Sequence, residues 1–188
     1  RDLELRGAGN ILGGEQHGHM ADVGYDMYLK LLENAVRVEK GDMPAKLEVE
    51  CLVDVQVSAH IPERYISNLN QRLDIYRRIS DIRSKDDATD VFDELIDRFG
   101  DPPENVSNLI DIALIRNTAA DLGIYEIRQQ NSTFLLFSNN LNEKLLEKFI
   151  KTMGKRVTIK TTAKPHICVA SDPNLPVITS LKEILSIS

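Results

Sequence analysis

Apolar and polar positions alternate with period two along Val49, Cys51, Val53, Val55 and Val57, which interleave with Glu50, Leu52, Asp54 and Gln56. That pattern predicts a half-buried strand. Before it, Tyr25, Tyr28, Leu29, Leu32, Ala35 and Val36 recur at helical spacing, with Gly41 as a C-terminal cap and Asp42-Met43-Pro44 as a stop. The change of period places a domain boundary near residue 46. After the strand, Pro62 is expected to open a helix carrying Ile66, Leu69, Leu73 and Tyr76. A second helix, about 87–99, is expected to bury Val91, Phe92, Leu95, Ile96 and Phe99 and to stop at Gly100. A third starts from Asp101 as N-cap and Pro102 and ends at Gly123.

Beyond Gly123 the β pattern returns. Residues 124–129 and 133–137 flank the polar turn Gln130-Asn131-Ser132 as a hairpin. Asn140 and Glu143 resemble a capping box for a helix with Leu141, Leu145, Phe149 and Ile150. Strands at 156–161 and 166–170 precede a last short helix with Ile178, Leu181 and Leu185. The order β-ααα-ββ-α-ββ-α is not a regular strand–helix alternation. It predicts an α+β fold, with a mixed or antiparallel sheet of about four to five strands packed with several helices.

Composition narrows this without redirecting it. The 188 residues, 42% hydrophobic and 28% charged, are those of a globular chain, long enough to build a core without a disulfide or metal. Cys51 and Cys168 read as reduced thiols in the core. No apolar run reaches the length of a membrane span and the opening residues lack the apolar core of a signal peptide, so the expected location is cytoplasmic and no membrane partner is expected. The net charge is −6, distributed as −2 over residues 1–46, −8 over 47–123 and +4 over 124–188. The acidic middle opposes a phosphate backbone and suits a protein partner; the basic final third leaves an accessory double-stranded DNA contact as the alternative.

Candidate chemistry is sparse. Gly7, Gly9 and Gly13 follow GxGxxxG spacing, with neither the preceding strand of a dinucleotide site nor the Lys-Ser or Lys-Thr of a phosphate-binding loop. His17 and His19 are two apart around Gly18, which does not place two metal ligands on one helical face. No local nucleophile signature appears, so no catalytic residue and no metal site are assigned.

The opening run Asp2-Leu3-Glu4-Leu5-Arg6-Gly7-Ala8-Gly9-Asn10-Ile11-Leu12-Gly13, with Glu15-Gln16 and Gly18-His19, is the most informative stretch. It resembles the translocation motif of bacterial transcription-repair coupling factors and, more loosely, of fork-reversal helicases. The similarity to coupling factors continues through residues 23–36, Ile61-Pro62, the block Arg72-Leu73-Asp74-Ile75-Tyr76-Arg77-Arg78-Ile79, and Glu94-Leu95-Ile96-Asp97-Arg98-Phe99-Gly100. Gly14 and His17 depart from the acidic residue and serine frequent in the family.

The resemblance implies two parts: residues 1–46 as a helical remnant of the translocation motif with its connecting helix, and residues 47–188 as the C-terminal regulatory domain. It implies that this chain is a noncatalytic piece of an ATP-dependent DNA translocase that displaces stalled RNA polymerase and recruits nucleotide-excision repair. ATP and Mg²⁺ belong to the motor lobes of that parent, and no cofactor is implied here. Implied partners are the parent's own N-terminal repair-adapter domain and, for the parent, RNA polymerase, the excinuclease A protein and double-stranded DNA. Arg6 and Gln16 match the positions that couple nucleotide state to DNA grip; from the residues alone, Arg6 could equally cap a helix and Gln16 be exposed. Glu94, Asp97 and Arg98 match the positions of an interdomain lock that hides the adapter surface. They lie at i, i+3 and i+4, a spacing expected to share the helix face opposite Leu95, Ile96 and Phe99, and equally that of a plain Glu94–Arg98 surface ion pair.

Overall fold

The computed structural model describes residues 51–186, so Arg6, Gln16, the glycine-rich opening and the helix expected over 25–36 lie outside the described residues, as does the boundary near residue 46. Two compact units divide the chain; within the described residues the first is 57–114 and the second joins 51–56 to 115–186.

In the first unit, the chain from Pro62 makes a single turn, in which the N–H groups of Tyr65 and Ile66 donate to the Pro62 carbonyl at 2.9 and 3.1 Å. The helix proper, α1, is Leu69–Ser80, later than Pro62 suggests, because Asn68 caps it by accepting from the Gln71 N–H at 3.0 Å. Arg72 is 5% exposed and its Nη1 donates to the carbonyls of Ile66 and Ser67 at 2.7 and 3.0 Å. A guanidinium therefore satisfies the carbonyls freed where the turn and the helix fail to merge. The shift moves the buried side to Ile75, Tyr76 and Ile79 and leaves Leu69 exposed. Tyr76, fully buried, fixes the segment just before the Pro62 turn by accepting the Ile61 N–H on its Oη at 2.8 Å.

Helix α2 is Lys85–Phe99 and buries Ala88, Val91 and Leu95. It ends at Gly100, whose φ of +82° and ψ of −174° suit glycine alone. Phe92 and Phe99 are only half-buried and Ile96 is exposed, so the buried stripe is narrower than the apolar one. Helix α3, Glu104–Asp121, starts later than Asp101-Pro102 predicts, since Val106 and Ser107 donate to the Pro103 carbonyl at 2.9 and 3.1 Å. Its residues up to Leu114 belong to the first unit and those from Ile115 to the second.

The second unit is built on a five-stranded mixed sheet in the order β1-β2-β3-β5-β4. Its strands are β1 (Leu52–Asp54), β2 (Ile124–Gln130), β3 (Thr133–Ser138), β4 (Val157–Lys160) and β5 (His166–Ala170). β1 runs parallel to β2 and every other pairing is antiparallel. The β2–β3 hairpin turns through Asn131, whose φ of +53° an asparagine tolerates. Register aligns Val53 with Ile127, Ile127 with Leu136, Leu136 with Ile167, and Phe134 with Val169, all buried on one sheet face. The core is completed by Leu145, Phe149 and Met153 of α4 (Glu143–Met153) and by Ile178, Leu181, Ile184 and Leu185 of α5 (Val177–Leu185). Asn142, not Asn140, caps α4, accepting the Leu145 N–H at 2.8 Å, and Ile150 is exposed. The predicted element order and α+β class hold. Cys51 is buried, whereas Cys168 is half-exposed, with burial, opposed by Lys160, pushing its thiol pKa up.

Among the described residues no helix is long and apolar enough to cross a membrane, and no group of three or more His, Cys, Asp or Glu side chains is placed to hold a metal ion.

Candidate interaction site on helix α2

The N-terminus of α2 is fixed by local chemistry. Ser84 accepts the Asp87 N–H on Oγ at 3.1 Å, and the Asp87 carboxylate accepts the N–H groups of Arg83 and Ser84 at 2.9 and 2.8 Å, a reciprocal capping box. The hydrogen bond from Arg83, then those from Ser84, lower the Asp87 pKa below its ordinary 3.8. A depressed carboxylate pKa contributes stability above the unfolded value, lost as pH falls through the folded one. An NMR titration of the Asp87 carboxyl is therefore expected to have its midpoint below 3.8, and Asp87→Asn is expected to remove that midpoint and fray the first turn of α2. A midpoint at or above the ordinary value would contradict the capping geometry.

Further along the helix, the Glu94 carboxylate is held between two guanidinium groups. Its Oε1 accepts from Arg98 Nη1 at 2.7 Å, the i, i+4 pair read in the sequence, and its Oε2 pairs with Arg78 Nη1 from α1. The Glu94 side chain is 19% exposed, against 46% for Arg78 and 37% for Arg98, so the acid sits under the two cations. Arg98 also lies 4.8 Å above the Phe99 ring, which meets Tyr65 edge-on at 6.0 Å. Tyr65 in turn donates from Oη to the Gly100 carbonyl at 2.7 Å. Burial, then the charge of Asp101, raises its phenol pKa. These contacts lock the helix end and hold Arg98 in place.

Of the three predicted site residues, the structure joins Glu94 and Arg98, while Asp97 stands exposed on the neighbouring flank of the helix. Glu94 and Arg98 flank the buried stripe of Ala88, Val91 and Leu95 instead of lying opposite it, Phe99 lies beneath Arg98, and Ile96 is in solvent. The residue missed from sequence is Arg78, whose one local signal is its place in the basic last turn of α1. Arg6 and Gln16 are not among the described residues.

This sheet-and-helix arrangement is shared with a crystal structure of the C-terminal domain of transcription-repair coupling factor, which superposes with a TM-score of 0.64 at 19% identity, covering 76% of this chain and 92% of that one. Residues 55–149 match the TRCF domain family. The transcription-repair-coupling factor of Myxococcus xanthus is 43% identical over 121 residues, 64% of this chain and 10% of that protein. The one from Staphylococcus aureus (strain USA300) is 35% identical over 165 residues, 85% of this chain and 14% of that protein. The chain belongs to the transcription-repair-coupling factor family, and it spans 14% or less of the length of these relatives.

Proposed function

We propose that this chain is the noncatalytic regulatory domain of an ATP-dependent, double-stranded-DNA translocase of the cytoplasm, one that displaces stalled RNA polymerase and recruits nucleotide-excision repair. In the resting protein its α2 surface docks on the parent's N-terminal repair-adapter domain and masks the surface that the excinuclease A protein binds. Arg6 and Gln16 belong in this proposal to the motor-coupling motif. ATP and Mg²⁺ act in the parent's motor lobes, and no residue of this chain holds them.

The observation that carries the proposal is the Arg78–Glu94–Arg98 cluster, with Asp97 beside it. The three paired groups are pre-positioned by each other and by Phe99, so little side-chain freedom remains to be lost on docking. Exposed ion pairs are worth about 0.2–1 kcal/mol each to folding, whereas the same groups desolvated at an interface each matter by about 2 kcal/mol or more when truncated. The cluster is thus suited to recognition more than to stability.

Replacing Glu94, Asp97 and Arg98 together by Ala in the full-length protein is expected to raise binding of the excinuclease A protein about tenfold or more, since about 1.4 kcal/mol lost from the lock is tenfold. The same change in this chain is expected to cost about 1 kcal/mol or less of folding stability. Unchanged excinuclease binding in a well-folded variant would reduce the cluster to a surface ion network.

A further inference from the structure

Two helices carry exposed stripes of opposite charge at the same spacing. On α4, Lys144, Lys148 and Lys151 recur at i, i+4 and i+7, and Lys155 follows at i+11 in the 3-10 turn Gly154–Arg156. On α2, Asp86, Asp90, Asp93 and Asp97 recur at i, i+4, i+7 and i+11. At 3.6 residues per turn the four aspartates gather within about 60° of arc over about 16 Å, and the three helical lysines within a like arc over about 10 Å, while Lys155 lies past the helix end at Gly154. All eight residues are exposed, and none of their side chains makes a hydrogen bond or ion pair among the described residues. The remaining charges differ in kind: Glu94 and Arg98 of α2 are paired, and Asp87 is spent on its cap. Glu143 and Glu147 of α4 leave the stretch from 143 to 155 net positive, since four lysines lie in it.

We infer that the lysine stripe on α4 is a docking surface for the aspartate stripe on α2 of a second copy of the chain. Equal spacing lets each of the three helical lysines meet an aspartate when the two helices lie alongside one another, which an acidic patch of irregular spacing would not allow. A polyanion such as duplex DNA would also feel the lysines, but it would leave the aspartates of α2 without counter-charges, whereas a second copy partners both stripes at once, locally enough to offset the repulsion between two chains of net charge −6. Exposed ion pairs make such a contact weak and salt-sensitive, suited to reversible association.

Sedimentation velocity of the 188-residue chain tests this with two charge-reversed variants. One carries Lys144→Glu, Lys148→Glu and Lys151→Glu; the other carries Asp86→Lys, Asp90→Lys and Asp93→Lys, leaving Asp97 of the proposed lock intact. The unmodified chain is expected to show a concentration-dependent sedimentation coefficient at about 50 mM salt that disappears by about 500 mM. Each variant alone is expected to sediment as a monomer, and an equimolar mixture of the two is expected to regain association, because each then meets the opposite charge. Circular dichroism confirms that each variant is folded, and an Asp→Asn set replaces the Lys set should reversal near the helix N-terminus unfold α2. A monomeric unmodified chain at low salt, or folded variants whose mixture stays monomeric, overturns the proposal. So does a lysine variant that loses duplex DNA binding while an aspartate variant still self-associates, which would assign the stripe to nucleic acid.

Discussion

Replacing Phe149 by Ala is expected to lower the stability of the second unit by about 3–5 kcal/mol. Phe149 is fully buried and lies with Leu145 and Met153 on the inner side of α4. Truncation removes the transfer free energy of the ring and leaves a cavity that rigid β-strands fill poorly. Against a typical domain stability of about 5–15 kcal/mol, that loss brings the unit near its unfolding threshold at moderate temperature. Urea unfolding followed by circular dichroism should show the midpoint falling at nearly constant slope. The next residue is the control. Ile150 is 50% exposed, so Ile150→Ala should stay within about 0.5 kcal/mol. Equal losses at the two positions would mean that the phase of α4 is wrong.

In the first unit, Tyr76→Ala is expected to cost about 3–5 kcal/mol and Tyr76→Phe about 1–3 kcal/mol, by different routes. The alanine variant empties the volume of a ring that has no exposure. The phenylalanine variant keeps the ring but removes the Oη that accepts the buried Ile61 N–H at 2.8 Å, leaving a desolvated donor. Denaturant midpoints give the two costs, and hydrogen exchange at the Ile61 amide separates them, since its protection should fall even where the phenylalanine variant stays folded. A phenylalanine variant as stable and as protected as the parent would show that this hydrogen bond contributes nothing.

Parts of the site were legible locally. Glu94 and Arg98 are four residues apart on a helix, and Gly100 marks where it must stop. Arg78 was not legible, because its approach to Glu94 depends on how α1 and α2 pack, and nothing in a last-turn Arg-Arg pair states which neighbour it will meet. The start of α1 failed for a related reason: Pro62 is a good first residue for a helix, but here it closes one turn, and the capping bond of Asn68 together with the buried Arg72 sets the real beginning.

The sequence by itself determined the elements, their order and the family, because periodicity, caps and turn residues act within a few positions and the coupling-factor blocks are contiguous. Along the first strand it separated the inner Cys51, Val53 and Val55 from the outer Leu52, Asp54 and Gln56, where period two leaves two choices. The tertiary structure alone decided that Leu52–Asp54 pairs in parallel with Ile124–Gln130, about seventy residues later, and that β5 rather than β4 lies next to β3. It also decided that Ile96 and Ile150 face water while Arg72 and Arg116 do not. An apolar stripe on a helix is wider than the surface its neighbours can cover, and a buried guanidinium is tolerable only where carbonyls arrive to meet it. Strand order and burial are sums over contacts between distant segments, which no local window contains.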